Sequence, residues 1–364
     1  MKILITGNMG YVGPSVVKQF RKAYADAVII GYDIGYFASQ LTCADFFPEC
    51  RADIQYFADV RAFPDELLAG VDAIVYLAAI SNDPMGNKFE EPTMAINYGS
   101  AVALAKQAKI HGVKSFVYAS SCSTYGFADD SERTEDSALN PLTAYAKSKV
   151  AAESGLKEVA DKFFRVSCLR FATACGMSDR LRLDLVLNDF VAAALTSNKI
   201  VILSDGSPWR PLIHVEDMAR AIEWATFREP GAGGDYLVVN VGSNKWNYQV
   251  RDLAHAVARI MPGVEVEINK DAQPDKRSYR VNFDKFKSLA PDHQPQYDLP
   301  MAIEGLKAGL EKIGFKEKDF RNTNFMRLRI LDSLCGNGLL DGNLRWTQKA
   351  LVALSNSNTG MKGA

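Results

Sequence analysis

Along the first 120 positions, apolar residues gather in short unbroken runs: KILIT (2–6), AVIIGYD (27–33), IQYF (54–57), AIVYLA (73–78) and SFVYAS (115–120). Between some of these runs apolar residues fall at helical spacing, near 13–24 and 92–111. Strands buried on both faces read as continuous apolar runs, and their alternation with helices predicts a parallel sheet covered on both sides. A helix starting near Pro141 and the run VSCLRF (166–171) extend the rhythm, which then breaks into longer, less regular stretches to about residue 300. These carry a helix near 184–196, a strand IVIL (200–203), and RPLIHVEDMARAIEWA, in which a strand passes into a helix. The expected fold class is α/β, a doubly wound parallel sheet with a smaller C-terminal lobe. Its expected divisions are 1–172, then 173–315 interleaved with returns to the sheet, then a helical extension at 316–364. The small polar end LSNSNTGMKGA reads as a frayed tail.

Composition narrows the partners. The 364 residues are 48% hydrophobic and 23% charged, with a formal charge of −1, so the chain reads as an ordinary globular protein without a nucleic-acid or membrane-surface footprint. No 18 apolar residues run together and MKILITGNMG is too short an apolar run for a secretory signal, which makes the cytoplasm the expected compartment. The cysteines (43, 50, 122, 168, 175 and 335) form no CxxC pair and the four histidines are scattered. Neither a metal site nor a disulfide framework is expected; reduced, mostly buried thiols are.

Candidate chemistry begins at ITGNMGYVG, where Gly7, Gly10 and Gly13 follow a strand and open a helix. Such a turn lets backbone approach a pyrophosphate, while the helix N-terminus offers unpaired amides and a positive dipole end. The second run ends in Asp33, about 20 residues beyond Gly13, where a carboxylate would accept from ribose hydroxyls and repel a 2′-phosphate. This predicts a Rossmann-type site for NAD rather than NADP. Asp59, after the third run, either accepts from the adenine amino group or caps the next helix. Further along, NPLTAYAKSKVAAE sets Tyr145 and Lys149 four apart on one helical face. An ammonium one turn from a phenol would favour the phenolate and make a tunable proton donor and acceptor.

Taken together, TGNMGYVG, Asp33, Asp59, YLAA (76–79), Asn97, SSCSTYG and YAKSK resemble, in order and spacing, the extended short-chain dehydrogenase/reductases. Within them the chain is similar to the nucleotide-sugar epimerase, dehydratase and ketoreductase group over roughly residues 1–310. The SDGSPWRPLIHVEDMARA stretch and the C-terminal LRW are similar to a bacterial branch of that group. The resemblance implies Ser121 and Tyr145 as catalytic partners at the reacting oxygen, with Lys149 holding the nicotinamide ribose and lowering the tyrosine pKa. It implies NAD contacts from the turn (Gly7, Asn8, Met9, Gly10, Tyr11, Val12 and Gly13) and from Asp33, Asp59 and Val60. Leu77, Ala78, Ala79, Asn97, Ser120 and Phe171 complete the implied cofactor set. For a nucleotide-diphosphate sugar it implies Ser81, Ser121, Cys122, Ser123, Thr173, Arg210 and Arg277, and a homodimer pairing the helices near 92–111 and 143–161.

Two positions sort the chemistry. The family's 4,6-dehydratases carry an Asp-Glu pair where this chain has Cys122 and Ser123, so dehydration lacks its acid and base. The expected reaction is reversible oxidation and re-reduction at a secondary alcohol, most simply epimerisation at C4. A net ketone reduction, or a dehydrogenase of a smaller polyol, amino acid or sugar acid, is the alternative. A non-catalytic NAD-binding regulator would have lost Tyr145 or Lys149. Cys122 either touches substrate or is a small buried thiol beside the strand end. Arg210 either grips a diphosphate or pairs with Glu216 or Asp217, and His214 reads as structural. Thr173 stands where many relatives have an asparagine.

Overall fold

The computed structural model describes residues 1–42, 45–269, 272 and 278–350. Strands β1 (Lys2–Thr6), β2 (Val28–Asp33), β3 (Ile54–Phe57), β4 (Ala73–Tyr76), β5 (Ser115–Ser121), β6 (Arg165–Phe171) and β7 (Tyr236–Val241) form one sheet in the order β7-β6-β5-β4-β1-β2-β3. Every pairing in it is parallel, as the unbroken apolar runs require. The chain leaves β1 in one direction and later continues from β4 in the other, so the carboxyl ends of β1 and β4 flank the switch point where such sheets bind ligands. The seventh strand, YLVVNV, is a return to the sheet from within the second half of the chain.

Strand geometry sends successive side chains to opposite faces. Ile3 and Ile5 accordingly join Val75, Val117, Leu169 and Val239 in one core, covered by the helices Gly13–Ala23 and Val215–Phe227. Leu4 and Ile74 join Phe116, Tyr118 and Val166 in the other, covered by Ala101–Ile110 and Ala144–Lys157. A third core, around Leu187, Val191, Leu253, Val257 and Leu306, lies between the helices Val186–Ser197, Val250–Ile260 and Leu299–Lys312 and forms the second lobe.

Some expected elements change form. The helix expected near 92–111 is α-helical at Glu90–Met94 and Ala101–Ile110 with a π-helical turn, Ala95–Ser100, between them. Asn97 sits in that turn, its amide gripping both Ile80 N–H (2.9 Å) and Ile80 carbonyl (3.0 Å). The helix expected to reach 161 ends at Lys157. In the extension, a helix at Arg327–Gly336 is followed by an antiparallel bridge between Leu340 and Trp346. The tail expected at 354–364 lies outside the described residues. Among the described residues no helix is long and apolar enough to cross a membrane. Cys50, Cys122, Cys168, Cys175 and Cys335 are free thiols, and Cys43 lies outside the described residues.

Candidate active site

A cleft of about 1000 Å³ opens over the carboxyl ends of β1 and β4 and extends to the second lobe. The glycine turn forms one wall. Gly7 has φ of 73°, and a Cβ there would lie 2.5 Å from Ala78 N, so only glycine lets the turn pass beneath the end of β4. At Gly13 a Cβ would fall 2.0 Å from the Asn8 carbonyl oxygen, which blocks any side chain where the helix begins. Asp33 closes β2 with its carboxylate accepting from Gly35 N–H (2.7 Å) and Met9 N–H (3.0 Å). Burial raises its pKa, and those two amides pull it back. Gly7, Gly10, Tyr11, Val12, Gly13, Asp33, Val60, Leu77, Ala78, Ala79 and Phe171 all line the cleft. The cradle a Cβ would fill, the helix N-terminus and the acid at the end of β2 fit a dinucleotide.

Deeper in, the Ala144–Lys157 helix is capped by Thr143, whose hydroxyl oxygen accepts from Ala146 N–H and donates to Asp83 (2.7 Å). Tyr145, Lys149, Ser121 and Ser123 reach the cleft together. Beneath them Glu153 and Arg170 form a buried ion pair (2.7 Å) that also accepts the Ser120 hydroxyl (2.6 Å) and ties the helix to β6. Lys149 Nζ donates to the Ala119 carbonyl (2.7 Å) and lies 5.5 Å from the Tyr145 ring centre. Burial pushes Lys149 down to about 7, with Glu153 opposing, and it pushes Tyr145 up to about 12, with a Ser121 hydrogen bond opposing. Both shifts favour the neutral forms, with burial the largest cause in each.

Several of the expected residues have protein partners of their own. Asn97 is fully buried and is not among the residues lining the cleft; besides Ile80 it donates to Ser148 Oγ (3.0 Å), which fixes the backbone there. Asn8 and Met9 also lie outside the wall: the Asn8 amide donates to Gln55 (2.7 Å), and Met9 serves Asp33 through its N–H. The Ser120 hydroxyl points down to Glu153, leaving only its remaining atoms on the cleft side. Cys122 turns beneath the floor, 1% exposed, its thiol donating to the Arg170 carbonyl (3.1 Å), and burial raises its pKa. The cause is local: Ser121 caps a 3₁₀ turn over Cys122–Tyr125, which rotates position 122 inward and Ser123 outward. Asp59 lines the cleft beside Val60 and also caps the short turn after β3, accepting from Arg61 N–H (2.9 Å) and binding the Arg61 guanidinium (2.6 Å).

At the far wall, Arg210, Thr173 and Ser81 line the cleft. Arg210 donates to the Trp209 carbonyl (2.9 Å), while Glu216 pairs with Lys18 and Asp217 accepts from Gln296 and Tyr297 N–H. Arg277 lies outside the described residues. His214 stacks on Tyr297 (3.7 Å) and burial pushes it down to about 4, so it is a neutral structural ring. Sequence reasoning missed Arg182 and Asp184, an ion pair in the wall whose arginine also donates to Ser81 Oγ (2.8 Å). It also missed Asp83 and Tyr279. The signal for the pair was present in SDRLRLD, where charged residues alternate with leucines between a strand and a helix.

A parallel sheet with a dinucleotide cradle and a Ser-Tyr-Lys cluster at its switch point defines an NAD-linked short-chain dehydrogenase-type enzyme. Residues 3–242 match the model of the NAD dependent epimerase/dehydratase family, and the chain belongs to that family. It is similar to the uncharacterized UDP-glucose epimerase YtcB of Bacillus subtilis, 30% identical over 66% of this chain and 77% of that protein. It is also similar to UDP-glucose 4-epimerase of Corynebacterium glutamicum, 27% identical over 71% of this chain and 80% of that one. Its fold matches the solved structure of MoeE5 in complex with UDP-glucose and NAD, with a TM-score of 0.71, 22% identity, and coverage of 86% of this chain and 99% of that one.

Proposed function

We propose that the protein is an NAD-dependent nucleotide-sugar epimerase acting at C4 through a transient 4-keto sugar. The observation that carries this reading is the floor of the cleft: Ser121 and Tyr145 face it together while Cys122 turns away and no carboxylate stands at 122 or 123. That arrangement supports redox at a hydroxyl and offers no acid-base pair there for loss of water. The relatives named UDP-glucose 4-epimerase favour the same reaction.

NAD, when bound, supplies the hydride acceptor and, once reduced, the donor. Tyr145 takes the proton from the sugar O4 and returns it after the keto sugar has turned its other face. Ser121 bonds the same oxygen and holds it against the phenol. Lys149 orients the nicotinamide ribose from below. Arg210 binds the diphosphate, with Ser81, Ser123 and Thr173 along the sugar. Asp33 reads the adenosine ribose. A cytoplasmic homodimer through the helices near 92–111 and 143–161 completes the reading; Tyr98 and Ile110, on the first of these, are exposed.

The test is incubation with a panel of nucleotide sugars and their 4-keto forms, reading product stereochemistry and net cofactor reduction. Inverted C4 with no net change in NAD is expected; stoichiometric NADH with a retained keto product would replace epimerase by dehydrogenase. Tyr145→Phe should lose turnover while keeping NAD, and an active variant would remove the mechanism.

A further inference from the structure

The family segment ends at residue 242, yet residues well beyond it, from 327 to 346, pack against the loops that follow β2 and β3. Arg327 opens the helix Arg327–Gly336, is 1% exposed, and lines the cleft. Its Nη2 donates to the Arg180 carbonyl (2.7 Å) and its guanidinium lies 4.3 Å from the centre of the Phe37 ring, just beyond β2. Its Nη1 is buried and has no hydrogen-bond partner among the described residues. Neighbouring Arg180 and Arg182 are paired with Glu49 and Asp184, whereas no ion pair with Arg327 is found among the described residues. Burial pushes Arg327 down to about 9, so it stays cationic at neutral pH. A buried cation with an idle donor is costly unless an anion joins it.

The same extension is fastened beside the adenosine end. Trp346 Nε1–H donates to the Ile34 carbonyl (2.9 Å) and its ring packs 6.0 Å from Tyr36. The Leu344 carbonyl accepts from Tyr36 Oη and from Arg61 Nη2, while Arg61 Nη1 donates to the Asn343 carbonyl (2.5 Å). Leu344 is fully buried at φ 55°, a conformation that branched side chains adopt only when surroundings over-determine it. These fasteners grip the loops that follow β2 and β3, where Asp33 and Val60 stand.

We propose that residues 327–346 form a clasp over the adenosine-diphosphate half of the cofactor site and that Arg327 is a cofactor-binding residue, giving its idle Nη1 to a phosphate oxygen of the bound dinucleotide. The proposal rests on reading the cleft as an NAD site. It makes the extension a device for keeping the cofactor resident, which suits a reaction that regenerates NAD in place.

The test measures binding of NAD, ADP-ribose and adenosine to the full chain by calorimetry, together with NAD retained through purification. Arg327→Met should weaken NAD and ADP-ribose alike by roughly 10- to 100-fold, the value of a charge-assisted hydrogen bond, and leave adenosine unchanged. The urea midpoint of its NAD-free form should not fall, because an unpaired buried charge has gone. Trp346→Ala, which leaves Arg327 in place, should release NAD faster than wild type. Unchanged ADP-ribose affinity in Arg327→Met, or an equal loss for adenosine, overturns the phosphate contact; unchanged NAD release in Trp346→Ala overturns the clasp. Failure of the wild type itself to bind NAD would instead overturn the cofactor reading.

Discussion

Lys149 is the group whose stability cost and proposed function pull hardest against each other, and Lys149→Met separates them. Its pKa is pushed down to about 7 by burial, against 10.5 for an ordinary lysine. Between those values the unfolded chain binds a proton that the folded chain does not, so stability rises with pH across the window and is lowest below 7. At about 1.4 kcal/mol per pH unit, the ammonium costs roughly 5 kcal/mol at or below neutrality. Methionine removes that cost but leaves the Ala119 carbonyl without its donor, which offsets about 1–3 kcal/mol. Lys149→Met should therefore be more stable than wild type by roughly 2–4 kcal/mol in NAD-free protein at pH 6.5. The advantage should vanish or reverse by pH 10.5, and the variant should turn over no sugar. Urea unfolding of both proteins at several pH values is the assay. A variant less stable than wild type at pH 6.5, or a difference that does not change with pH, refutes the argument that burial governs this lysine.

Further outcomes follow from the same geometry. Glu153→Gln strands the Arg170 guanidinium in the core and should cost about 3–5 kcal/mol of unfolding free energy; an unchanged urea midpoint would show the pair to be dispensable. Because Glu153 supports the charge on Lys149, the same change should shift the lysine titration to lower pH, readable by NMR of labelled lysine. Gly7→Ala places a Cβ against Ala78 N at a positive φ and should raise the NAD dissociation constant at least roughly tenfold, checked by calorimetry. Sedimentation at micromolar concentration should return a dimer, and a monomer would remove the homodimer from the proposal.

What was legible in the sequence is what local geometry decides. A strand run into glycines at 7, 10 and 13 can only turn tightly and open a helix, and residues 145 and 149 share a helical face wherever that helix lies. Unbroken apolar runs already specify a sheet covered on both faces, because no half-exposed strand tolerates them. What the tertiary structure decided is direction, burial and company. Cys122 and Ser123 are neighbours in the chain, yet a 3₁₀ turn sends one under the floor and the other into the cleft. Asn97 clamps the Ile80 backbone through both groups of its amide, a partner 17 residues away that no local spacing reports. The charge of Lys149 depends on how much water the fold removes, which no spacing reports. Arg327 lines the cleft only because its helix packs against Phe37 and Arg180, residues far from it in sequence. Spacing along a helix or turn is fixed by backbone geometry, whereas desolvation and long-range contacts exist only once the whole chain has packed.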